Sequence, residues 1–321
     1  MKKLPKLIAI SAMLLLHYFF FGCKKDSDEN IDPSAPDAFV NKFVSDINAD
    51  SLRANVQWLQ NYNTRFFLQN NRKQIATDIK NKFINLGYTD TRIDSFFISP
   101  YWNNTTYNTW QYNVVARLQG STSPNNVYVV GAHYDCIVDS GDPFVVAPGA
   151  NDNASGMSGI IEIARVMKAH AFAPKNTIDF VAFAAEEYDL NGSADYASKA
   201  VTTGANIVMM LNNDMISYDA NSDPVNWTVN VMDYTNSTDL RTLFVKCGKT
   251  YTSLNFANDN QYSSDGDSYS FFNQGYKAIF IIDNPEESFY HTTNDVVANY
   301  NFEYCKKVTS ISCALLVQEN K

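Results

Sequence analysis

NNVYVVGAHYD, residues 125–135, holds an unbroken apolar, mostly β-branched run from Val127 to Ala132, then presents His133 and, two positions on, Asp135. A short continuous apolar run reads as a strand buried on both faces, as in parallel sheets. Four more segments are of the same kind: QYNVVARLQGS (111–121), TIDFVAFAAEE (177–187), NIVMMLNNDMIS (206–217) and YKAIFIID (276–283). Helical patterns separate or flank them at SGMSGIIEIARVMKAH (155–170), NGSADYASKAV (191–201) and NFEYCKKVTSISCALLVQEN (301–320). Upstream, NRKQIATDIKNKFINLGY (71–88) spaces Ile75, Ile79, Phe83 and Leu86 along one helix face and closes on Gly87 as its C-cap. Strands alternating with helices predict an α/β fold, a single domain with a mixed, mostly parallel twisted sheet sandwiched between helices. In such sheets ligands collect outside the carboxyl ends of the strands.

The totals agree with one sizeable core. The chain has 321 residues, 45% hydrophobic and 14% aromatic, with neither an internal repeat nor a second linker. Its 25 Lys+Arg against 34 Asp+Glu give a net charge of −9, and no basic stripe is present to neutralise phosphates, so nucleic acid is excluded as a partner. The first 22 residues differ from the rest: MKKLPK supplies a positive start, LIAISAMLLLHYFFF is an apolar run, and Gly22-Cys23 follows. That pattern reads as a secretory signal. A small residue before cysteine resembles the cleavage box of bacterial lipoproteins, which predicts export, a lipid on Cys23 as the sole membrane attachment, and a location at the periplasmic face or cell surface. An ordinary signal peptide is the alternative. Without residues 1–22 the balance is 22 basic against 34 acidic residues, or −12. Residues 23–38, KKDSDENIDPSAPDA after the cysteine, read as a flexible tether, and 39–321 as one folded domain, acting as a monomer. Cys136, Cys247, Cys305 and Cys313 remain; Cys305 and Cys313 lie more than two helical turns apart, too far to bridge, so free buried thiols are expected.

If His133 serves a site at the strand ends, other metal-type side chains belong at the ends of the other strands, and they occur there. The 177–185 strand runs into Glu186-Glu187, the 206–213 strand into Asp214, and the 276–282 strand into a loop reaching His291. Asp152 lies in APGANDNASG, ahead of the helix at 155. Each has a plain reading: Asp152 as a helix cap, Glu186-Glu187 as solvated charge, Asp214 as a turn residue, His291 as a loop histidine. Together they make two imidazoles and three carboxylates with a spare glutamate. That set suits zinc or a similar divalent ion. Five ligands are too many for one open tetrahedral zinc, and they suffice for two ions sharing a bridging carboxylate and a common water.

HYD (133–135), GANDNASG (149–156), FAAEEYDLNGSADY (183–196), LNNDMIS (211–217) and PEESFYHTTND (285–295) resemble, in order and spacing, the zinc-dependent peptidase family M28, the co-catalytic aminopeptidases. The resemblance spans about residues 60–320 and implies a zinc exopeptidase fold of the phosphorylase/hydrolase-like kind. It implies two Zn2+ per chain: His133 and Asp214 on one, Glu187 and His291 on the other, Asp152 bridging. Glu186 would be the general base, and Asp135 would accept the other ring N–H of His133 and fix its tautomer. Peptides with a free N-terminus are the implied substrates. Relatives commonly carry Ser-Asp-His before the last helix-and-strand unit; here YSSDGDSYSFFNQGYKA (262–278) has no histidine, which puts the pocket wall near Asp265 and Asp267 in question. A tyrosine in this region often holds the oxyanion in relatives, and Tyr262 is the candidate. Three alternatives stand beside the aminopeptidase: a single-zinc glutaminyl cyclase, a carboxypeptidase, which needs a basic group for a terminal carboxylate, and a surface-tethered binding protein with an inactive pocket.

Overall fold

The structure, a computed structural model, describes residues 27–283 and 288–321. The expected signal peptide (1–22), the anchor Cys23 and residues 285–287 of the last motif lie outside them. In chain order the elements are α1 (Ala38–Ser45), α2 (Ala49–Gln60), α3 (Arg72–Asn85), β1 (Asp90–Ile98), β2 (Tyr101–Trp102), β3 (Thr105–Thr106), β4 (Thr109–Leu118), β5 (Ser123–His133), α4 (Ala154–Ala169), β6 (Asn176–Phe183), α5 (Asn191–Thr202), β7 (Asn206–Asn213), β8 (Thr228–Asp233), α6 (Thr238–Tyr251), β9 (Asn255–Ala257), α7 (Asp267–Asn273), β10 (Ala278–Asp283) and α8 (Phe302–Asn320). Eight strands form one sheet in the order β1-β4-β6-β5-β7-β10-β8-β9, and β2 pairs with β3 in a separate ribbon. The central four, β6, β5, β7 and β10, run parallel. Antiparallel neighbours close both sides: β4 and β1 beside β6, and β8 beside β10.

Both faces of the centre are buried, and the two-residue period sorts the side chains between two cores. On β5, Tyr128, Val130 and Ala132 join the core shared with α2, α4 and α8, whereas Val127 and Val129 join the core with Tyr196 of α5 and Phe271 of α7. The uninterrupted apolar run of the sequence is the direct consequence. Helix α4 is buried almost all round because it packs on β5 and β6 on one side and on α2 and α8 on the other. Its first turn lies against the end of β7: a Cβ on Gly156 would stand 2.0 Å from the Asn213 carbonyl oxygen, so only glycine permits this approach. That contact brings the loop before α4 to the carboxyl end of β7.

Register places the predicted strand ends side by side. His133 pairs with Phe183, and Gly131 pairs with Asn212, which sets His133 level with Asp214. β6 stops earlier than apolar composition suggests, at Phe183, and Ala185 takes φ +56° in the turn that carries Glu186 and Glu187. Helix α3 buries Ile75, Ile79 and Phe83, with Leu86 half-buried and Gly87 at φ +95° closing it as expected. The four cysteines are free and buried.

The tether at 23–38 needs correction over its described part. Ser27–Asn30 forms a 3-10 turn, and Asp28 is buried in an ion pair with Arg241 of α6, both of whose Nη atoms it accepts. Lys249 caps the Asp28 carbonyl, and the Ser34 and Asp37 amides donate to Thr250 and Tyr251 side chains. A charged stretch reads as solvated unless its partner is known, and Arg241 lies more than two hundred residues away in sequence.

Candidate metal centre

The predicted residues converge at the carboxyl edge of the parallel strands. His133 ends β5 and is 1% exposed. Its Nε2 stands 3.2 Å from Asp152 Oδ1, 3.3 Å from Asp214 Oδ1 and 3.8 Å from Glu186 Oε2. The other Asp152 oxygen, Oδ2, lies 3.1 Å from His291 Nε2, which is also 3.0 Å from Glu187 Oε2. Two triads result, His133–Asp152–Asp214 and Asp152–Glu187–His291, each with ligand atoms within 4.8 Å of one another, and Asp152 belongs to both.

Asp152 is not the cap of α4. That position is Asn153, whose Oδ1 accepts from the Gly156 amide at 2.9 Å. The Asp152 loop is held from behind: Asp295 accepts from the amides of Asn151 (2.7 Å) and Asp152 (3.2 Å), and the Asn151 side chain bonds Asp283 and Ser217. On the other flank Arg65 is buried, its guanidinium donating to the carbonyls of Tyr134 (2.6 Å), Pro148 (2.8 Å), Gly149 (2.7 Å) and Leu59 (3.3 Å). Neither Arg65 nor Asp295 carries a sequence signal, because their partners are backbone groups of distant loops.

Asp135 acts differently from the expectation. The atom nearest His133 Nδ1 is the Asp135 backbone oxygen at 3.2 Å, while its carboxylate stands 3.7 Å away. That carboxylate instead accepts the amides of Glu186 (3.1 Å) and Glu187 (3.3 Å), fixing the turn that carries both. His291 takes φ +52°, its Nδ1 lies 3.3 Å from Asp139 Oδ1, and Tyr290 stacks on its ring with centroids 3.7 Å apart. Tyr262 sits at the cavity mouth, exposed and bonded by Gln261. Asp265 also lines the cavity and is exposed, whereas Asp267 is fully buried at the start of α7. Ser268 follows, its Oγ 2.9 Å from the Tyr234 hydroxyl.

Burial and crowding shift the titration of the centre. Burial, aided by Asp214, Asp267 and Glu187 and opposed by His133, raises Glu186 well above the carboxylate range. Glu187 is pushed up to about 8 by burial and by Asp152, and Asp214 is raised chiefly by burial. Burial also disfavours a charged His291, but Asp152 and Glu187 outweigh it and push the ring up to about 11; at His133 burial is likewise outweighed, by Glu186 and Asp214, and the ring is raised well above the usual imidazole range. For Asp152, the two adjacent histidines outweigh burial and hold it below the usual range. Such a cluster asks for cations, and protonated imidazoles meet that demand in part. Asp214 Oδ1, Glu187 Oε1 and His291 Nε2 are nonetheless buried without a hydrogen bond, which fits ligand atoms directed at metal. An imidazole and carboxylate set suits zinc.

The centre floors a cavity of about 790 Å³. Among the described residues its lining includes eight carboxylates, two histidines and no lysine or arginine.

The profile of peptidase family M28 matches residues 113–316. A probable zinc metalloprotease of Pyrenophora teres f. teres is 31% identical over 195 residues, 57% of this chain and 40% of that protein's length. A probable aminopeptidase of Saccharomyces cerevisiae is 25% identical over 292 residues, covering 87% of this chain and 75% of the yeast protein. Among solved structures, LapB from Legionella pneumophila superposes with TM-score 0.73 at 22% identity, covering 90% of this chain and 76% of that one. A glutaminyl cyclase of Bacteroides thetaiotaomicron superposes with TM-score 0.68 at 18% identity, covering 85% and 98%. The fold is therefore shared by both kinds of enzyme.

Proposed function

The chain belongs to peptidase family M28, and from that membership we propose that it is a zinc-dependent exopeptidase removing the N-terminal residue of peptides. In this reading His133 and Asp214 hold one zinc ion, Glu187 and His291 a second, and Asp152 lies between them. The observation that carries it is the Asp152 carboxylate, with one oxygen 3.2 Å from His133 and the other 3.1 Å from His291. Zinc there supplies an acidified water and a Lewis acid for the scissile carbonyl. Glu186 stands 3.8 Å from His133 Nε2 and belongs to neither triad, so its carboxylate would take the proton and deliver it to the leaving amine. Asp135 keeps Glu186 and Glu187 aimed by holding their amides.

The acidic lining favours a substrate that brings a cation, the free α-amine, over one that brings a carboxylate. That supports the aminopeptidase over the carboxypeptidase. The cyclase reading needs one metal, and the second triad speaks against it. The test uses the chain from Lys24 onward: zinc content, with hydrolysis of amino-acid anilides bearing free or acetylated N-termini. Two zinc ions per chain with hydrolysis confined to free amines is the expected result; one zinc and no hydrolysis overturns it. For the N-terminal segment we propose export and lipid attachment at Cys23, supported by its sequence; palmitate incorporation should vanish in Cys23→Ser.

A further inference from the structure

The cavity extends sideways from the metal centre over the last strands of the sheet. Its floor is two cross-strand pairs on one face, Phe280 with Met232 and Ile282 with Asn230. The segment at 258–266 lies on this floor, since a Cβ on Gly266 would stand 2.8 Å from the Phe280 ring. Asp259 is locked to the floor by two bonds with the Asn230 side chain, its amide donating at 2.9 Å and its carbonyl accepting at 3.0 Å. Asp259 and Asp265 line the same cavity, and neither carboxylate forms an ion pair among the described residues.

Two divalent ions would balance Asp152, Glu186, Glu187 and Asp214, which leaves Asp189, Asp259, Asp265 and Asp283 among the lining carboxylates. Asp283 accepts from the Asn151 side chain and the Tyr218 amide, the α-amine answers one further charge, and Asp259 and Asp265 are the two carried by the segment on the apolar strip. We propose that this part of the cavity selects lysine or arginine as the N-terminal residue, the methylene stem lying over Phe280, Met232 and Ile282 and the cationic head meeting Asp259 and Asp265. The proposal rests on the aminopeptidase reading. A glutamate at the same position meets like charge and is rejected.

The zinc-loaded chain from Lys24 onward is compared on anilides of lysine, of norleucine, which is lysine's chain without the ammonium, and of glutamate. The expected kcat/KM ratio of lysine to norleucine is on the order of tenfold at low salt, shrinking as salt is added. In the double variant Asp259→Asn, Asp265→Asn that ratio falls toward one, and glutamate gains on norleucine. Each ratio is internal to one preparation, so a loss of folded protein does not move it. A lysine-to-norleucine ratio at or below one in the unaltered chain overturns the proposal, as does a high ratio that the double variant leaves in place. Absence of hydrolysis on all three overturns the aminopeptidase reading itself.

Discussion

Replacing Arg65 by methionine keeps most of the aliphatic stem and removes four hydrogen bonds, three of them between 2.6 and 2.8 Å, to the carbonyls of Tyr134, Pro148 and Gly149. The site is buried, so the carbonyls lose their donor without free access to water. Bonds from a charged donor contribute roughly 1.5–3 kcal/mol each, and removing the costly burial of the guanidinium offsets part of the loss. The net destabilisation should be about 3–5 kcal/mol, or on the order of 10 °C in Tm for a domain of this size. Tyr134 follows His133, and Gly149 lies three residues before Asp152, so both ligand-bearing segments loosen together. Zinc affinity should fall by about 10- to 100-fold, as when a ligand loses its support. Urea unfolding with and without zinc, beside zinc titration against a competing chelator, reads both effects. Arg65→Lys should fall between, since an ammonium cannot reach all four carbonyls at once. A loss under about 1 kcal/mol with unchanged zinc affinity would refute the claim that this guanidinium joins the two loops to the centre.

Glu186→Gln should retain zinc and fold normally while kcat drops by about 10²–10⁴, the usual worth of a general base; an active variant removes Glu186 from that role. Asp152→Asn should lower zinc below two per chain, because the carboxylate that gives one oxygen to each triad becomes an amide with a single oxygen, and full retention by mass spectrometry would contradict the bridge. Asp267 is pushed up from 3.8 to about 7, chiefly by burial, so the folded chain keeps a proton that the unfolded chain releases. Its contribution is complete below the lower value and is lost as pH rises through the higher one, so urea midpoints of the metal-free protein should fall across that window, and Asp267→Asn should flatten the dependence.

The parallel centre was legible because burial on both faces leaves unbroken apolar runs, as in β5 and β7, and because each run ends at a polar side chain where the carboxyl edge must be. The candidates His133, Glu186, Glu187 and Asp214 were picked out for the same reason, and the structure brings them together with Asp152 and His291 of neighbouring loops. Elements outside that centre were less visible: β1 alternates exposed and half-buried residues, β9 is three residues long, and α7 begins in the polar YSSDGDS stretch. Apolar composition also overran the end of β6, since it cannot register that Ala185 turns with positive φ to carry the glutamates. The role of Asp135 was misplaced because adjacency to His133 hides a partner some fifty residues away, and Tyr290 passed unnoticed because nothing local says it stacks on the ring beside it.

The ligand atoms come from residue 133 through residue 291, at the ends of separate strands joined only by the finished sheet. Even the nearer triad is drawn from a long stretch of chain, from His133 to Asp214. A chain with β10 and the loop after it undocked would have no His291 in place and should be silent in peptide cleavage. Since such a site binds metal in the native state and not in the open chain, an ion at a thousand times its dissociation constant adds about 4 kcal/mol to the whole fold. A chelator should therefore lower the stability of the whole fold, so that even remote helices such as α3 open to protease more often.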